Sequence, residues 1–515
     1  MSKKRAIVIG SGFGGLAAAI RLQAMGCATE LYERRDKPGG RAYVYEEEGF
    51  IFDAGPTVIT VPQVIEDLFT LAGKRMKDYV ELIEIHPFYR LFWEDGTVFD
   101  YDNDEKKLLE QIGARNPDDV RGYKEYLEYA EDVYEQGYVR LGHVPFLRFW
   151  DMVKVAPDLL RLKAHRPVYS TISRYIKDEK TRQAMSFNSL LIGGNPFEIS
   201  SIYTLIHPLE KKFGVHFPKG GTHALVRALM KVFEDIGGRV FLSADVEEIV
   251  TEGQKVRGIR VAGDPSLKPA DLVVSNGDVY HTYRNLLKRT ASAQRTADSL
   301  GRKDFSMSLF VLYFGANKRW DNLTHHNIMF GQRYKGLLND IFRTGKLADD
   351  FSLYVHAPSE TDDSLAPEGS YSYYALAPVP NLNISQVDWE VEGPRYAERI
   401  FDYLDRHYMP GLKDSLVVKR WFTPKDFETE LYARHGSAFS LTPTLTQSAY
   451  FRVHNRDRDV EGLYFVGAGT HPGAGIPGVV GSADATCRVI ADDFQLSEHK
   501  VRTHGFNQAA EPASL

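Results

Sequence analysis

Three glycines and a glutamate near the start of the chain have the types and spacing of a dinucleotide-binding fingerprint. Gly10, Gly12 and Gly15 form the pattern G-x-G-x-x-G between a short β-rich run and a helical pattern over residues 16–25, and Glu33 follows eighteen residues after the last glycine. In a strand–turn–helix–strand unit, these glycines allow a tight turn, close approach of the pyrophosphate and close helix packing. The phosphates lie at the helix N-terminus, and the acid accepts hydrogen bonds from the ribose hydroxyls. The alternative is an ordinary strand–helix turn, because glycine turns are common.

A second glycine-rich stretch runs from Gly462 to Gly478 near the other end of the chain. Within it, residues 463–466 are typical of a buried strand, and residues 479–492 are typical of a helix. Gly473, Gly475 and Gly478 repeat the G-x-G-x-x-G pattern. However, no strand immediately precedes them, and there is no room for a second strand that ends in an acidic residue. We therefore expect this helix to point its N-terminus at the same cofactor, where its dipole stabilises the negative charge of a reduced flavin ring.

Composition and charge exclude several classes of protein. The chain has 515 residues, of which 43% are hydrophobic and 26% charged, and its net charge of −6 gives no reason to expect nucleic-acid binding. The two cysteines, Cys27 and Cys487, are far apart, which argues against a disulfide framework and for a reducing compartment. We expect no metal site, because no group of histidines, cysteines and acids has ligand spacing. Since no run of eighteen apolar residues occurs, we expect no membrane-spanning helix.

A basic segment over residues 140–177 stands out against the acidic chain. Eight lysines or arginines and two acids give it a local charge of +6, and Phe, Trp and Leu side chains alternate with the charges. This composition is typical of a helix that lies in a membrane interface. The alternative is a solvated helical face that packs on its own domain.

The order of predicted elements indicates the α/β fold class, with a Rossmann-like nucleotide-binding domain, an inserted β-sheet-plus-helix substrate domain and a helical membrane-facing segment. The tyrosines at helical spacing over residues 120–138 are interpreted as core. The predicted division assigns residues 1–75, 216–300 and 441–495 to the nucleotide domain, 76–140 and 301–440 to the substrate domain, 141–215 to the helical segment and 496–515 to a flexible tail.

The motifs together resemble the bacterial-type phytoene desaturases of the flavin-containing amine oxidase superfamily. The resemblance rests on the N-terminal fingerprint with Gly39-Gly40-Arg41, on the turn Phe217-Pro-Lys-Gly-Gly-Thr222, and above all on Gly467-Ala-Gly-Thr-His-Pro-Gly-Ala-Gly-Ile-Pro-Gly478. It covers about residues 5–492, and the C-terminal motif is specific. Amine oxidases usually carry an acid directly after the glycine that matches Gly467. Here Ala468 and Gly469 follow it, so a ribityl contact would come from the backbone.

The resemblance implies FAD as the cofactor and a peripheral enzyme on the cytoplasmic side of the cell membrane. The candidate cofactor-binding residues are Gly10, Gly12, Gly14, Gly15, Glu33, Gly40, Arg41, Val246, Gly467 and Gly478. Two roles remain open for Asp53 and for His471: contact with the flavin or substrate, or the bracing of a turn. No catalytic acid or base is assigned, because loss of hydride from an allylic carbon makes the neighbouring proton easy to remove.

The implied activity is the four-step desaturation of 15-cis-phytoene to all-trans-lycopene through zeta-carotene and neurosporene, by hydride transfer to the flavin. The implied partners are phytoene and the later carotene intermediates, the membrane lipid surface, and quinone or oxygen as electron acceptor. Several alternatives remain open: a three-step, neurosporene-forming enzyme, a C30 diapophytoene desaturase, another carotenoid oxidoreductase, an amine oxidase, or a prenyl-protein escort that binds lipid without catalysis.

Overall fold

A computed structural model describes residues 3–142 and 144–496 of the chain. The flexible tail expected at residues 496–515 lies, except for its first residue, outside the described part.

Within the described residues the strands are β1 (Arg5–Ile9), β2 (Ala28–Tyr32), β3 (Val44–Glu47), β4 (Phe50–Asp53), β5 (Leu82–Glu84), β6 (Tyr89–Trp93), β7 (Val98–Tyr101), β8 (His216–Pro218), β9 (Arg239–Phe241), β10 (Val246–Glu252), β11 (Lys255–Val261), β12 (Asp264–Pro269), β13 (Leu272–Ser275), β14 (Ser308–Ala316), β15 (His326–Phe330), β16 (Leu353–His356), β17 (Tyr371–Val379), β18 (Leu416–Phe422) and β19 (Leu463–Phe465). The α-helices of the same part are α1 (Phe13–Ala24), α2 (Gln63–Leu71), α3 (Glu105–Arg115), α4 (Pro117–Tyr134), α5 (Phe149–Arg161), α6 (Val168–Ile172), α7 (Glu179–Ser186), α8 (Ile206–Phe213), α9 (Thr222–Asp235), α10 (Val279–His281), α11 (Ala291–Leu300), α12 (Tyr334–Asn339), α13 (Trp389–His407), α14 (Leu412–Ser415), α15 (Pro424–Leu431) and α16 (Ile476–Phe494).

A five-stranded parallel sheet joins the two ends of the chain. Its strand order is β19-β13-β1-β2-β9, and every neighbouring pair is parallel. The strands are mostly apolar, as is usual for a parallel sheet that is covered on both faces. Helices α1, α9 and α16 pack in one hydrophobic core with one face of this sheet. The antiparallel sheet β10-β11-β12 contributes to a second hydrophobic core, which contains the side chains of the opposite face. The sheet therefore brings the carboxyl ends of β1, β2, β13 and β19, and the loops that follow them, to one edge.

A seven-stranded mixed sheet of order β18-β14-β17-β16-β15-β6-β7 forms the second lobe. Side chains of β14 alternate between its two faces, as the pleat requires. Phe310, Leu312 and Phe314 pack in the core that contains α13, whereas Leu309 and Val311 belong to the core on the opposite face. The parallel sheet and this mixed sheet with helices confirm the predicted α/β fold class. The predicted domain boundaries stay a prediction.

Helices α4 and α5 contain the tyrosine stripe and the centre of the basic segment. The tyrosine stripe lies on α4, where Tyr123, Tyr126 and Tyr134 are buried as expected for core residues. The centre of the basic segment forms α5, which has no buried residue and contains Pro157. In the described part of the chain, no helix is both long enough and apolar enough to cross a membrane.

Candidate functional site

A cavity of about 610 Å³ extends from the carboxyl edge of the parallel sheet to helix α5. Of the ten candidate cofactor-binding residues, all except Gly15 line it. Beyond these residues the cavity passes between α8 and the mixed sheet, where its walls are largely apolar, and it reaches Met152, Val155 and Leu159 on α5. One end therefore carries the nucleotide motif, and the other is suited to an apolar molecule.

The first three glycines shape the turn between β1 and α1. Gly10 has φ +91°, a conformation that glycine adopts without strain. A Cβ on Gly15 would lie 1.9 Å from the carbonyl oxygen of Gly10, so this glycine allows the helix to pack against the strand. Gly12 precedes α1 and provides no side-chain cap, which leaves the first N–H groups of the helix available to an anion.

Glu33 is buried directly after β2 and lines the cavity. Its Oε2 accepts hydrogen bonds from the backbone N–H of Ser11 at 2.9 Å and from the Ser11 hydroxyl at 2.6 Å. Its Oε1 accepts one from the backbone N–H of Arg35 at 2.9 Å. These bonds fix the carboxylate while leaving lone pairs for a ribose hydroxyl, since an ionised carboxylate offers about four acceptor positions.

The two glycine motifs meet at one point. A Cβ on Gly14 would lie 3.1 Å from the backbone N of Gly467 and 2.6 Å from Oδ1 of Asn276. The N–H of Gly467 donates to the hydroxyl of Ser482 on α16 at 2.8 Å. Gly478, in the first turn of α16, lines the cavity too. The start and the end of the chain thus enclose the same space, as the sequence predicts.

Gly40, Arg41 and Val246 complete the candidate set. Gly40 has φ +56° and faces the backbone of Gly12, and Val246 is buried at the start of β10. Arg41 donates to the carbonyl oxygen of Ser437 at 3.2 Å, while its Nε is buried without a hydrogen-bond partner among the described residues. Burial lowers the pKa of this guanidinium, and the charge of nearby Asp278 raises it. A buried guanidinium with one N–H left without a partner, beside an uncapped helix N-terminus, fits the pyrophosphate of FAD.

Asp53 and His471 have different surroundings. Asp53 accepts hydrogen bonds from the backbone N–H groups of Thr222 and His223, at 2.8 and 3.2 Å, and so braces the start of α9. His471 lines the cavity, its ring packs edge-on against Phe146 and its Nδ1 has no partner among the described residues. Burial lowers the pKa of His471 to about 4, so the imidazole is neutral at neutral pH.

Three buried histidines form a cluster that the sequence pattern does not reveal. His325, His326 and His356 place potential ligand atoms within 4.8 Å of one another. His356 Nε2 and His325 Nε2 lie 3.0 Å apart and share a hydrogen bond, whereas His326 Nε2 and His356 Nδ1 have no partner among the described residues. Hydrogen bonds occupy nitrogens of the cluster: His325 contacts Thr361 at 2.6 Å and His326 contacts Tyr354 at 2.7 Å. We interpret the cluster as a hydrogen-bonded wall of the second lobe.

Sequence reasoning missed several polar residues of the site. Asn276 follows β13 and lies between the two glycine motifs; its position directly after a short apolar run is the signal that could have found it. Buried Arg452 donates to the carbonyl oxygen of Ala468, in the C-terminal glycine-rich stretch, and to that of Leu441. Glu210 on α8 lines the apolar part of the cavity, and no local pattern marks it.

The comparison with known families identifies the class of protein. The family described as Flavin containing amine oxidoreductase matches residues 13–491, so the chain belongs to this family. Its cofactor is FAD, which the uncapped α1 N-terminus, Glu33 and Arg41 fit.

Relatives of known activity cover nearly the whole chain. It is 57% identical over 491 residues to a phytoene desaturase (lycopene-forming) of Pantoea ananas, covering 95% of this chain and 100% of the relative. It is also 57% identical over 492 residues to the enzyme of the same name from Pseudescherichia vulneris, covering 96% and 100%. A phytoene desaturase (neurosporene-forming) of Rhodobacter capsulatus is 42% identical over 493 residues, covering 95% and 94%. These relatives confirm the resemblance to the bacterial-type phytoene desaturases.

Solved structures share the fold at low sequence identity. An oxidoreductase from Methanosarcina mazei has a TM-score of 0.61 at 17% identity and covers 94% of this chain and 99% of its own. Cyclohexylamine oxidase from Brevibacterium oxydans has a TM-score of 0.60 at 16% identity, covering 96% and 100%. These likenesses concern the fold alone.

Proposed function

We propose that the protein is an FAD-dependent phytoene desaturase that converts 15-cis-phytoene to all-trans-lycopene in carotenoid biosynthesis. The observation that carries the proposal is the continuous cavity, which joins the nucleotide motif to a long apolar space. The 57% identity to lycopene-forming enzymes supports the choice of substrate and product.

The residues of the chain would bind and orient the cofactor. Bound FAD supplies a two-electron acceptor that takes hydride from a carbon. The α1 N-terminus and Arg41 would hold its pyrophosphate, and Glu33 its ribose. The N-terminus of α16 has no side-chain cap after Gly475 and faces the same space, where its dipole would stabilise negative charge on the reduced ring.

The apolar walls would hold the polyene and exclude water. Leu309 and Val311 of β14 line the cavity together with Ile328 and Phe330 of β15. A hydrocarbon offers no group for a hydrogen bond, so positioning comes from shape and from burial of apolar surface. Successive saturated bonds would slide past the flavin. A quinone or oxygen is the proposed electron acceptor.

Helix α5 is the proposed contact with the membrane. Phe149 and Trp150 are 54% and 70% exposed, and Leu160 is 69% exposed. Arg148, Lys154 and other exposed basic residues lie among them. Aromatic and aliphatic side chains next to basic ones suit the surface of an anionic bilayer. Because Met152 and its neighbours on the same helix line the cavity, phytoene would enter from the bilayer here. The protein would be peripheral, on the cytoplasmic side of the membrane.

The test is conversion by the purified, FAD-loaded protein of 15-cis-phytoene dissolved in liposomes, with the carotenes separated by chromatography. Lycopene as the main product supports the proposal. Neurosporene as the end product would replace it with the three-step activity of the Rhodobacter relative. Conversion of a C30 substrate alone would favour a diapophytoene desaturase. Lipid binding without any product would favour an escort.

A further inference from the structure

Glu210 is a buried carboxyl group in the wall of the cavity. It lies on α8, is 1% exposed and lines the cavity together with the apolar side chains of Leu209 and Phe187. Its Oε1 accepts a hydrogen bond from the hydroxyl of Tyr89 at 2.7 Å, and its Oε2 accepts one from Nδ2 of Asn188 at 2.8 Å. These two neutral donors come from β6 and from the turn Phe187–Ile192, and both also line the cavity.

No cation of the described residues pairs with this carboxyl. The adjacent Lys211 and Lys212 turn away from it and pair with Glu105 and Glu131. The other titratable groups that face Glu210 are neutral at neutral pH: Tyr89 from β6, Tyr101 from β7, Tyr123 and Tyr126 from α4, and His207 from α8 itself. Burial of a carboxylate without a cation disfavours its charged form, and it raises the pKa of Glu210 to about 8. The group can therefore gain and lose a proton near neutral pH.

The position of α8 connects Glu210 with the cofactor end of the cavity. The helix leads into β8, whose His216 exchanges two backbone hydrogen bonds with Ile59, at 2.8 and 3.1 Å. Ile59 belongs to the loop after β4, and residues 54–58 of this loop line the cavity between the nucleotide motif and the apolar part. In the same loop, Thr57 contacts the hydroxyl of Tyr354 at 2.8 Å. Glu210 thus lies on a helix that is joined through β8 to the loop at the cofactor end of the same cavity.

Desaturation has two halves, and the cofactor accounts for only one of them. One carbon loses hydride, with both electrons of its C–H bond, to the flavin. The neighbouring carbon then loses a proton, and the electron pair of that C–H bond forms the new double bond. The proton needs an acceptor inside a cavity whose other wall groups are mostly apolar.

We propose, resting on the desaturase function above, that Glu210 is the base that accepts this proton from the substrate carbon. The carboxylate becomes a carboxylic acid, which Tyr89 and Asn188 hold in place. It releases the proton when the quinone or oxygen that reoxidises the flavin takes up two electrons and two protons. An active site with a buried carboxyl whose charge is set by its surroundings is a common arrangement for proton transfer.

The experiment compares wild type with Glu210→Gln, Glu210→Asp and Tyr89→Phe as FAD-loaded proteins acting on phytoene in liposomes. The glutamine side chain has the same shape but cannot accept the proton, so kcat should fall about 10²-fold or more, the usual size of a general-base contribution. The ratio of flavin to protein absorbance should stay unchanged. In wild type, kcat should rise with pH through a midpoint near pH 8 and level off above it, and Glu210→Gln should lose this dependence. Glu210→Asp should retain it at a lower rate.

Tyr89→Phe is the variant that separates a base from a merely structural residue. Loss of the hydroxyl donor destabilises the carboxylate, so the rise of kcat should move to higher pH, with much of the rate recovered there. A Glu210→Gln protein that keeps kcat within twofold and the same pH dependence would overturn the proposal. If Glu210→Gln does not fold, an unmoved pH profile of Tyr89→Phe would overturn it instead, and a profile moved upward would support it. Failure of wild type to convert phytoene would refute the desaturase function itself, which is a different outcome.

Discussion

Replacement of Trp150 by alanine should weaken membrane binding more than any other single change on α5. The indole is 70% exposed, and it projects from a helix that has no buried residue. A buried aromatic side chain covers about 150–250 Å², so insertion of Trp150 would remove about 100–175 Å² from water. At about 25 cal/mol per Å², and allowing for the alanine that remains, the loss is about 2–3 kcal/mol. This corresponds to roughly a 30- to 150-fold weaker partition into vesicles.

The assay is co-sedimentation of the full-length protein with vesicles that contain anionic lipid, over a range of lipid and salt concentrations. Leu267→Ala is the matched control, because Leu267 is also exposed, at 42%, but lies on β12 of the three-stranded sheet. The control should bind as wild type does. High salt should weaken wild type further, since each exposed Lys or Arg near an anionic surface contributes about 1 kcal/mol. A Trp150→Ala protein that partitions like the control would refute the docking role of α5.

Three further substitutions test the site and the contact between helices α1 and α16, which joins the two ends of the chain. Gly14→Val should abolish FAD retention, because the added side chain would meet Asn276 at 2.6 Å; the flavin-to-protein absorbance ratio measures this. Asp484→Ala should lower the free energy of unfolding by about 3–5 kcal/mol in urea titrations, because it leaves Arg21 charged, buried and unpaired. Asp53 has its pKa raised by burial to about 6, above the unfolded value of 3.8, so stability should fall as pH rises from about 4 to 6. Asp53→Asn should remove this part of the pH dependence.

Each of these three changes has a control variant or an outcome that would contradict the expected result. Gly301→Ala should retain FAD, because the nearest atom to its added Cβ would be 3.4 Å away. Arg488→Ala is the control for Asp484→Ala, because it removes the other ion-pair partner of Asp484, which is partly exposed. It should lower the free energy of unfolding by well under half as much. Equal losses for both variants would contradict the assignment of the ion pair between α1 and α16 as the main contribution. For Asp53, identical stability profiles of variant and wild type between pH 4 and 6 would contradict the raised pKa.

The nucleotide end of the site could be predicted because its signal is local. Gly10, Gly12 and Glu33 lie within one strand–helix–strand unit, whose geometry is set by short-range sterics and by hydrophobic periodicity. The C-terminal glycines have the same kind of local signal. That the two stretches meet follows from the parallel sheet, which places β1, β13 and β19 side by side.

The apolar end could not be predicted in the same way. Tyr89, Asn188 and Glu210 lie on three elements more than twenty residues apart, and only the tertiary packing of β6, α8 and the intervening turn brings them together. The composition of the basic segment fits two interpretations equally well: a helix in a membrane interface and a solvated helical face. Exposure of Trp150 and its apolar neighbours, which depends on what packs against α5, is not encoded in hydropathy.

The most direct test of the central claim is an anaerobic reaction of the FAD-loaded protein with phytoene in vesicles, followed through the visible absorption of the flavin. If the cavity brings the polyene against the cofactor, the flavin band should bleach only when phytoene is present, and about one new double bond should form per flavin reduced. Admission of oxygen or a quinone should restore the band and allow further desaturation to lycopene. A flavin that stays oxidised with phytoene, in a protein that retains FAD and binds the vesicles, would contradict the account.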